Sequence, residues 1–203
     1  PGIITAPYDT ELIGHWWFEG PRWLDKVLES MALDEEFGTI TCENYLRQFP
    51  PFEVVELPEG SWGQGNFHYI WLNDWTKWTW HHIYEMEHQM VKWANLLESE
   101  GGDHNLRRIL RQAARELLLM ESSDWQFLIS TWSARDYAEQ RFVTHTEWTK
   151  ELFNFAKEYK EKGELGSKAW QRIEFLEKRD SLFEDVDPLL WSDKSARVLE
   201  DRK

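Results

Sequence analysis

The chain has 203 residues, with 23 lysines and arginines against 37 aspartates and glutamates, so its formal net charge is −14. This acidic balance argues against nucleic-acid binding, which relies on basic patches, and no apolar run approaches the ~20 residues of a membrane span. A single cysteine, Cys42, excludes an internal disulfide and favours a reducing, cytoplasmic location.

The amino-terminal residues follow the order strand, loop and helix. Residues 2–6 are β-branched and apolar and end at Pro7, which predicts a short buried strand. Residues 8–20 have the composition of a loop, and Pro21 suits the first turn of a helix. Strand, loop and helix together form the βα unit of a barrel, in which active-site residues follow the strands. Asp9 occupies that position.

The next segment combines short elements with a glycine-rich loop. Residues 41–49 predict a short helix that Pro50-Pro51 closes, and residues 52–57 predict a short strand. Glycines in residues 58–68 disfavour regular structure and allow close approach of the backbone. We therefore expect the indole of Trp62, which lies in this loop, to be exposed or partly exposed.

The rest of the chain has helical periodicity in its apolar residues. The expected helices run from about 76 to 100, from 103 to 121, from 124 to 132, from about 134 to 162, and from 168 to 178. Each has one apolar and one charged face, which predicts a bundle of about five helices. Arg107, Arg108, Arg111 and Arg115 are expected on a solvated face, and the charged tail from Glu184 is expected to be peripheral. The predicted domains are therefore residues 1–52, a βα remnant of a barrel, and residues 53–203, the helical domain, in a mainly α protein.

Side chains suited to carbohydrate chemistry cluster after the predicted strand. Asp9 and Glu11 precede His15, Trp16 and Trp17. A carboxyl group can protonate a glycosidic oxygen, and flat aromatic rings can stack on sugar rings. We therefore expect His15, Trp16 and Trp17 to contact a substrate, with one indole packing while its neighbour lines a cleft. The alternative for Asp9 is a simple turn-forming role.

Other candidate residues have two explanations each. Trp71 could be a core residue or part of a binding surface, and Asp124 could be an acid favoured by a helix dipole or a ligand contact. Arg141 and His145 project near the apolar stripe of their helix, so we expect them to pair with a semi-buried carboxylate. The sequence has no phosphate-binding glycine motif and no cysteine cluster, and neither a metal nor another cofactor is predicted.

These motifs resemble glycoside hydrolase family 57, and among its members the 1,4-α-glucan branching enzymes most. The segment Tyr8–Pro21 is similar to the fourth conserved segment of that family. Ser61-Trp62-Gly63, Trp71-Leu72-Asn73 and residues 117–125 resemble its downstream segments, in the same order. The resemblance covers residues 1 to about 160.

The resemblance implies a seven-stranded (β/α) barrel, followed by a helical domain that closes one side of a glucan cleft. It also implies a retaining mechanism with a covalent intermediate. By similarity Asp9 would be the general acid/base, Trp62 and Asp124 would contact the glucan, and Trp71 would line the same groove. Ser133 is the nearest equivalent of a further polar contact.

The family's nucleophilic glutamate has no counterpart in this sequence, because it lies upstream of the matched segments. The chain begins with Pro1-Gly2 and no leader is visible, so we expect a piece of a longer polypeptide that is inactive alone. Its expected partners are an α-glucan and an upstream barrel. Three functions remain open: part of a branching enzyme, part of a 4-α-glucanotransferase or amylolytic hydrolase, or a non-catalytic glucan-binding or interaction module.

Overall fold

The chain forms two compact units in a computed structural model. The units comprise residues 1–58 and residues 59–203, and the structure describes residues 2–14, 16–101 and 103–195. Within these described ranges the protein is helical, with one isolated bridge between Ile13 and Trp17 and no strand. None of the described helices combines the length and the apolar composition needed to cross a lipid bilayer.

The first unit contains two helices, α1 (Gly20–Leu33) and α2 (Cys42–Gln48). Helix α1 has Pro21 in its first turn, where a missing N–H costs nothing. Helix α2 begins after Thr41, whose hydroxyl oxygen accepts a hydrogen bond from the Asn44 amide. Helix α1 begins where the sequence predicts, and α2 begins and ends close to its predicted bounds.

The prediction of two strands in this unit, at residues 2–6 and 52–57, is wrong. Both segments are exposed and form no regular secondary structure. A strand is stable only when a neighbouring strand satisfies its N–H and C=O groups, and no such neighbour exists in the described part of the chain. The β-branched residues therefore remain unpaired, and the expected barrel remnant is not present as a sheet.

The second unit contains five helices within its described residues, which confirms the expected number. They are α3 (Lys77–Ser99), α4 (His104–Met120), α5 (Asp124–Thr131), α6 (Arg135–Lys162) and α7 (Ser167–Arg179). Asp103 caps α4 by accepting a hydrogen bond from the Leu106 amide at 2.9 Å. Gly163 ends α6 with a φ of 78°, a left-handed conformation that favours glycine.

Helix α4 lies at the centre of this unit, and most of its residues from Leu106 to Met120 are buried. Helices α3, α6 and α7 pack around it, and their apolar faces form one continuous core. Fully or almost fully buried members of the core are Met90, Leu97, Ile109, Leu117, Phe142, Leu152, Ile173 and Leu176. Burial of these side chains drives the packing of the bundle, since each contributes on the order of 1.5–3 kcal/mol.

The tail from Glu184 packs on the bundle as far as residue 195, contrary to its expected peripheral position. A 3₁₀ turn, Pro188–Trp191, lies against α3, and the Trp191 ring contacts the core. Arg107 donates to Asp187 at 2.8 Å, and the Asp193 amide donates to the Asn95 side-chain oxygen at 2.9 Å. These polar contacts fix the segment because its own length is too short to form a stable helix.

Arg115 is also buried, so its expected place on a solvated face is wrong. Its guanidinium donates to the Gln112 side-chain oxygen at 3.0 Å and to the Glu184 carbonyl at 3.1 Å. The carbonyl of Phe183 accepts a third hydrogen bond at 3.4 Å. The arginine thereby satisfies carbonyl groups after α7 that would otherwise lack donors.

A buried polar network connects α4 with α6. The Glu116 carboxylate accepts from Gln112 Nε2 at 2.8 Å and from His145 Nδ1 at 2.7 Å, and neither Glu116 nor His145 is exposed. Arg141 Nη2 lies 2.9 Å from His145 Nε2. Because a guanidinium can only donate, Nε2 must accept, and the His145 proton lies on Nδ1. The expected pairing with a carboxylate is confirmed for His145, and the Glu116–His145 pair is fully buried. It is wrong for Arg141, which is partly buried and contacts the imidazole of His145 instead.

The substitution His145→Leu should destabilise the second unit by about 2–4 kcal/mol. Leucine fills the space of the imidazole with an apolar side chain, but it leaves the buried Glu116 carboxylate without a strong donor. Urea unfolding followed by circular dichroism measures the loss. Lys157→Ala, on the exposed surface of the same helix, is the control and should have almost no effect. Equal stability of both variants would contradict this prediction.

Candidate functional site

Asp9 lies on an exposed turn of the first unit. It precedes the 3₁₀ turn Thr10–Leu12, and its backbone carbonyl accepts from the Leu12 amide at 3.1 Å. Its carboxyl group makes no capping hydrogen bond to this turn and is accessible to solvent. The carboxyl group is therefore accessible to a ligand.

Aromatic rings surround the start of α1 beside Asp9. The Trp23 ring lies 4.9 Å from the Trp17 ring and 5.8 Å from the Tyr8 ring, measured between centroids. Trp17 packs on Trp23, whereas Trp16 is 75% exposed, and the expectation that one of the two indoles lines a cleft stays a prediction. His15, the remaining candidate in this stretch, lies outside the described residues.

The loop that carries Trp62 is closed by hydrogen bonds around a buried glycine. Ser61 Oγ donates to the Phe67 carbonyl at 2.6 Å and accepts from the Gly63 amide at 3.0 Å. A Cβ at Gly63 would lie 2.5 Å from the Phe67 carbonyl oxygen, closer than atoms can approach. Only glycine fits there, so the loop conformation depends on that residue.

The Trp62 indole projects from this loop beside α5. It is 70% exposed, and its ring meets that of Phe127 edge-to-face with 5.7 Å between centroids. Phe127 lies three residues after Asp124, so the two side chains share one face of the helix. The structure thus brings two sequence-predicted residues, Trp62 and the exposed Asp124, to the same side of α5.

Trp71 is half-buried and belongs to a segment that is tied to α5. Its carbonyl accepts from Thr76 Oγ1 at 2.9 Å and from Trp80 Nε1 at 2.8 Å. Asn73, two residues later, donates to Ser130 of α5 at 2.7 Å. These hydrogen bonds hold the segment rigidly on the helix that carries Asp124, as a binding surface requires.

A further aromatic residue, Trp132, follows the end of α5 and was not identified from the sequence. It has a φ of 59°, and its side chain is 59% exposed. A left-handed backbone costs a non-glycine residue on the order of 1–2 kcal/mol. The sequence signal that could have identified Trp132 is its position between two predicted helices, directly before the candidate residue Ser133. The exposed Ser133 hydroxyl lies 2.8 Å from that of Thr131.

The carboxyl group of Glu121 lies between α4 and α5 in a partly buried position. Burial, followed by the nearby charge of Glu87, raises the pKa of Glu121 to about 7. Glu121, three residues before Asp124, can therefore change its charge near neutral pH.

Two buried groups of the polar network, Glu116 and His145, lie close to the partly buried Asp180, and the three could in principle supply metal ligands. Atoms of Glu116, His145 and Asp180 lie within 4.8 Å of one another. However, His145 Nδ1 and Glu116 already share a proton at 2.7 Å, and the guanidinium of Arg141 contacts the other ring nitrogen. A cation would have to break both contacts next to a positive charge, so the geometry favours a structural hydrogen-bond network.

Comparison with known families gives a match over the second unit. Residues 82–191 match the family described as "1,4-alpha-glucan branching enzyme, C-terminal". The chain is 45% identical over 186 residues to a 1,4-alpha-glucan branching enzyme of Thermococcus kodakarensis, a match that covers 91% of this chain and 27% of the relative. A probable 1,4-alpha-glucan branching enzyme of Mycobacterium tuberculosis is 34% identical over 167 residues, which covers 75% of this chain and 30% of that protein.

Solved structures agree with the sequence matches. The branching enzyme of glycoside hydrolase family 57 from Thermococcus kodakaraensis superposes with a TM-score of 0.71 at 41% identity, over 95% of this chain and 34% of that chain. The corresponding enzyme from Pyrococcus horikoshii gives 0.69 at 40% identity, over 92% and 34%. An α-amylase from Thermotoga maritima gives 0.56 at 26% identity, over 92% and 32%. The chain therefore spans about a third or less of the length of these relatives.

The substitution Gly63→Ala should open the loop that presents Trp62. The added methyl group collides with the Phe67 carbonyl, so hydrogen exchange at the Gly63 and Asn66 positions should become faster. Gly166→Ala is the control, because no atom lies within 4 Å of its added Cβ and its φ is −65°. Unchanged exchange in the Gly63 variant would contradict the proposed steric role.

Glu121 should make the unfolding free energy depend on pH between about 4.5 and 7. Because its pKa is raised in the folded state, the folded protein binds the proton more tightly, and this stabilisation is lost as the pH rises through 7. The unfolding free energy of Glu121→Gln, relative to that of the parent, should therefore rise by about 1 kcal/mol as the pH increases from 4.5 to 7.5. This value takes into account that solvent screens a partly buried group. Denaturant unfolding at several pH values measures the difference, and a constant difference would contradict it.

Proposed function

The chain belongs to the family of C-terminal domains of 1,4-alpha-glucan branching enzymes, and we propose that it is the C-terminal part of such an enzyme. The complete enzyme would cleave α-1,4 links in a glycogen-like or starch-like polymer and form α-1,6 branches, with retention of anomeric configuration. The match over residues 82–191 is the observation that carries this proposal.

Asp9 is the proposed general acid/base. It would protonate the α-1,4 glycosidic oxygen while a carboxylate elsewhere in the complete protein attacks the anomeric carbon. It would then take the proton of a 6-hydroxyl group from a second glucan chain, which attacks the covalent intermediate and forms the branch. The exposed carboxyl of Asp9, which is not used to cap its turn, is compatible with such proton exchange.

The second unit would bind the glucan through the surface around α5. The exposed Trp62 ring would stack on a sugar, and the Asp124 carboxylate on the same helix face would accept hydrogen bonds from hydroxyl groups. Trp71 and Ser133 are further proposed contacts, and in the first unit His15, Trp16 and Trp17 are proposed to line the substrate path. Aromatic rings near the reaction would also restrict water and favour transfer over hydrolysis.

The proposed partner of this chain is a barrel domain that carries the nucleophile. A retaining mechanism needs two carboxyl groups roughly 5 Å apart, and we assign only the acid/base partner to this chain. The chain alone should therefore bind glucan without turning it over.

A second candidate is an amylolytic enzyme of the same family. The α-amylase of Thermotoga maritima shares the fold at 26% identity, so the same helical domain occurs beside a different activity. The branching enzymes are closer in both identity and TM-score, which favours branching. Analysis of branch points in the product glucan distinguishes branching from transglycosylation without branching and from hydrolysis.

The substitution Asp9→Asn, made in the complete gene product that contains this chain, should lower branching of amylose by at least about 100-fold. An amide cannot donate or take the required proton, whereas substrate binding should be retained. Branching is measured as the number of new chain ends released by a debranching enzyme.

Asp25→Asn is the matched control, because Asp25 is a similarly exposed aspartate of α1 in the same unit. It should leave the rate unchanged. Full activity of the Asp9 variant would disprove the assigned acid/base role, and a complete gene product without any activity on amylose would favour the non-catalytic module.

A further inference from the structure

Trp132 combines a strained backbone with an exposed aromatic ring. Its φ is 59°, and 59% of the residue is accessible to solvent. Strained conformations of this kind persist where the surrounding structure enforces them, and they concentrate at binding and catalytic sites. Burial does not explain the ring, because a core residue would be enclosed.

Neighbouring side chains hold the Trp132 ring in place. The Trp75 ring meets it edge-to-face, with centroids 5.6 Å apart and an interplanar angle of 87°. The Arg135 guanidinium lies 4.5 Å from the Trp132 centroid and is itself paired with Glu139 at 2.8 Å. Trp75 is 39% exposed, so the two rings form one accessible aromatic surface with a fixed geometry.

Polar groups border this aromatic surface. Trp75 lines an open cavity of about 460 Å³ together with Asn73, Asp74 and Lys77. Asp74 and Lys77 form an exposed ion pair at 2.7 Å. Flat rings beside hydrogen-bonding groups match a sugar, whose ring faces present C–H bonds and whose edges present hydroxyl groups.

We propose that Trp132 and Trp75 form a second α-glucan-binding site on the helical unit. The choice of an α-glucan as the ligand rests on the proposed function. The site is distinct from the Trp62 surface, because Trp62 packs on Phe127 in the first turn of α5, whereas Trp132 follows its carboxyl-terminal end. Arg135, held against the ring by Glu139, provides donors for sugar hydroxyl groups at the edge of the platform.

The test compares two variants of the 203-residue chain that have the same backbone change. Trp132→Gly removes the ring and relieves the left-handed strain, because glycine adopts positive φ freely. Phe183→Gly is the matched control, since Phe183 is also an exposed aromatic residue with a positive φ of 56°. Trp132→Asn serves as a second variant, because asparagine tolerates this backbone conformation.

Titration calorimetry with maltoheptaose, and native gel electrophoresis in the presence of soluble amylose, measure binding. Each variant is made in a chain that also carries Trp62→Ala, so that the first surface no longer binds. In that background we expect Trp132→Gly and Trp132→Asn to weaken binding at least about fivefold, whereas Phe183→Gly should have no further effect. Cellohexaose, which has β-1,4 links, is the comparison ligand and should bind weakly to all variants. Thermal unfolding should show no loss of stability in Trp132→Gly.

Two results would overturn the inference: unchanged maltoheptaose binding in both Trp132 variants, or equal losses with maltoheptaose and cellohexaose. A protein-docking role for these rings would produce the first result. A failure of the proposed function can be distinguished from a failure of this inference. Asp9→Asn tests catalysis only and should not alter maltoheptaose binding. If Trp62→Ala abolishes binding while Trp132→Gly has no effect, the glucan function stands and the second site does not exist.

Discussion

The second unit depends on the buried hydrogen bond between Glu116 of α4 and His145 of α6. Gln112, Arg115 and Glu116 lie on the enclosed side of α4, so their polar groups cannot rely on bulk water. An unpaired carboxylate in such a place would cost several kcal/mol, and the His145 donor removes that cost only in one relative position of the two helices. Apolar packing can tolerate small shifts, but this hydrogen bond sets the register.

The binding surface is built on this rigid bundle. Helix α5 packs on α6, and its Gln126 side chain donates to Thr79 of α3 at 3.0 Å. The Trp125 indole donates to the Leu119 carbonyl at 2.7 Å and thereby fixes the turn that leads into α5. Trp62 and Trp132 therefore extend from elements that are anchored in the core, although both lie at the ends of irregular segments. Pre-organised rings lose little freedom when a ligand binds.

The first unit has a different character from the second. It exposes large apolar side chains throughout its length, including Ile4, Phe18, Leu33 and Phe52. Isolated domains rarely expose so many, and such surfaces usually contact another part of a protein. This exposure supports the proposal that Asp9 acts within a larger protein whose barrel covers the unit, as does the greater length of the matched relatives.

Local sequence patterns determined the helices, their caps and the family of this chain. The spacing of Ile83, Met86 and Met90 marks a helix without knowledge of its neighbours, and Asp103 and Gly163 mark helix ends, because these signals act within a few residues. The motif around Trp62 was equally visible. Tertiary structure alone decided which polar residues are buried, since the enclosure of Arg115 and Glu116 depends on helices distant in sequence. It also decided that residues 2–6 form no strand, because a strand requires a partner, and that Trp132 adopts a left-handed backbone beside Trp75, a contact that joins residues 57 positions apart.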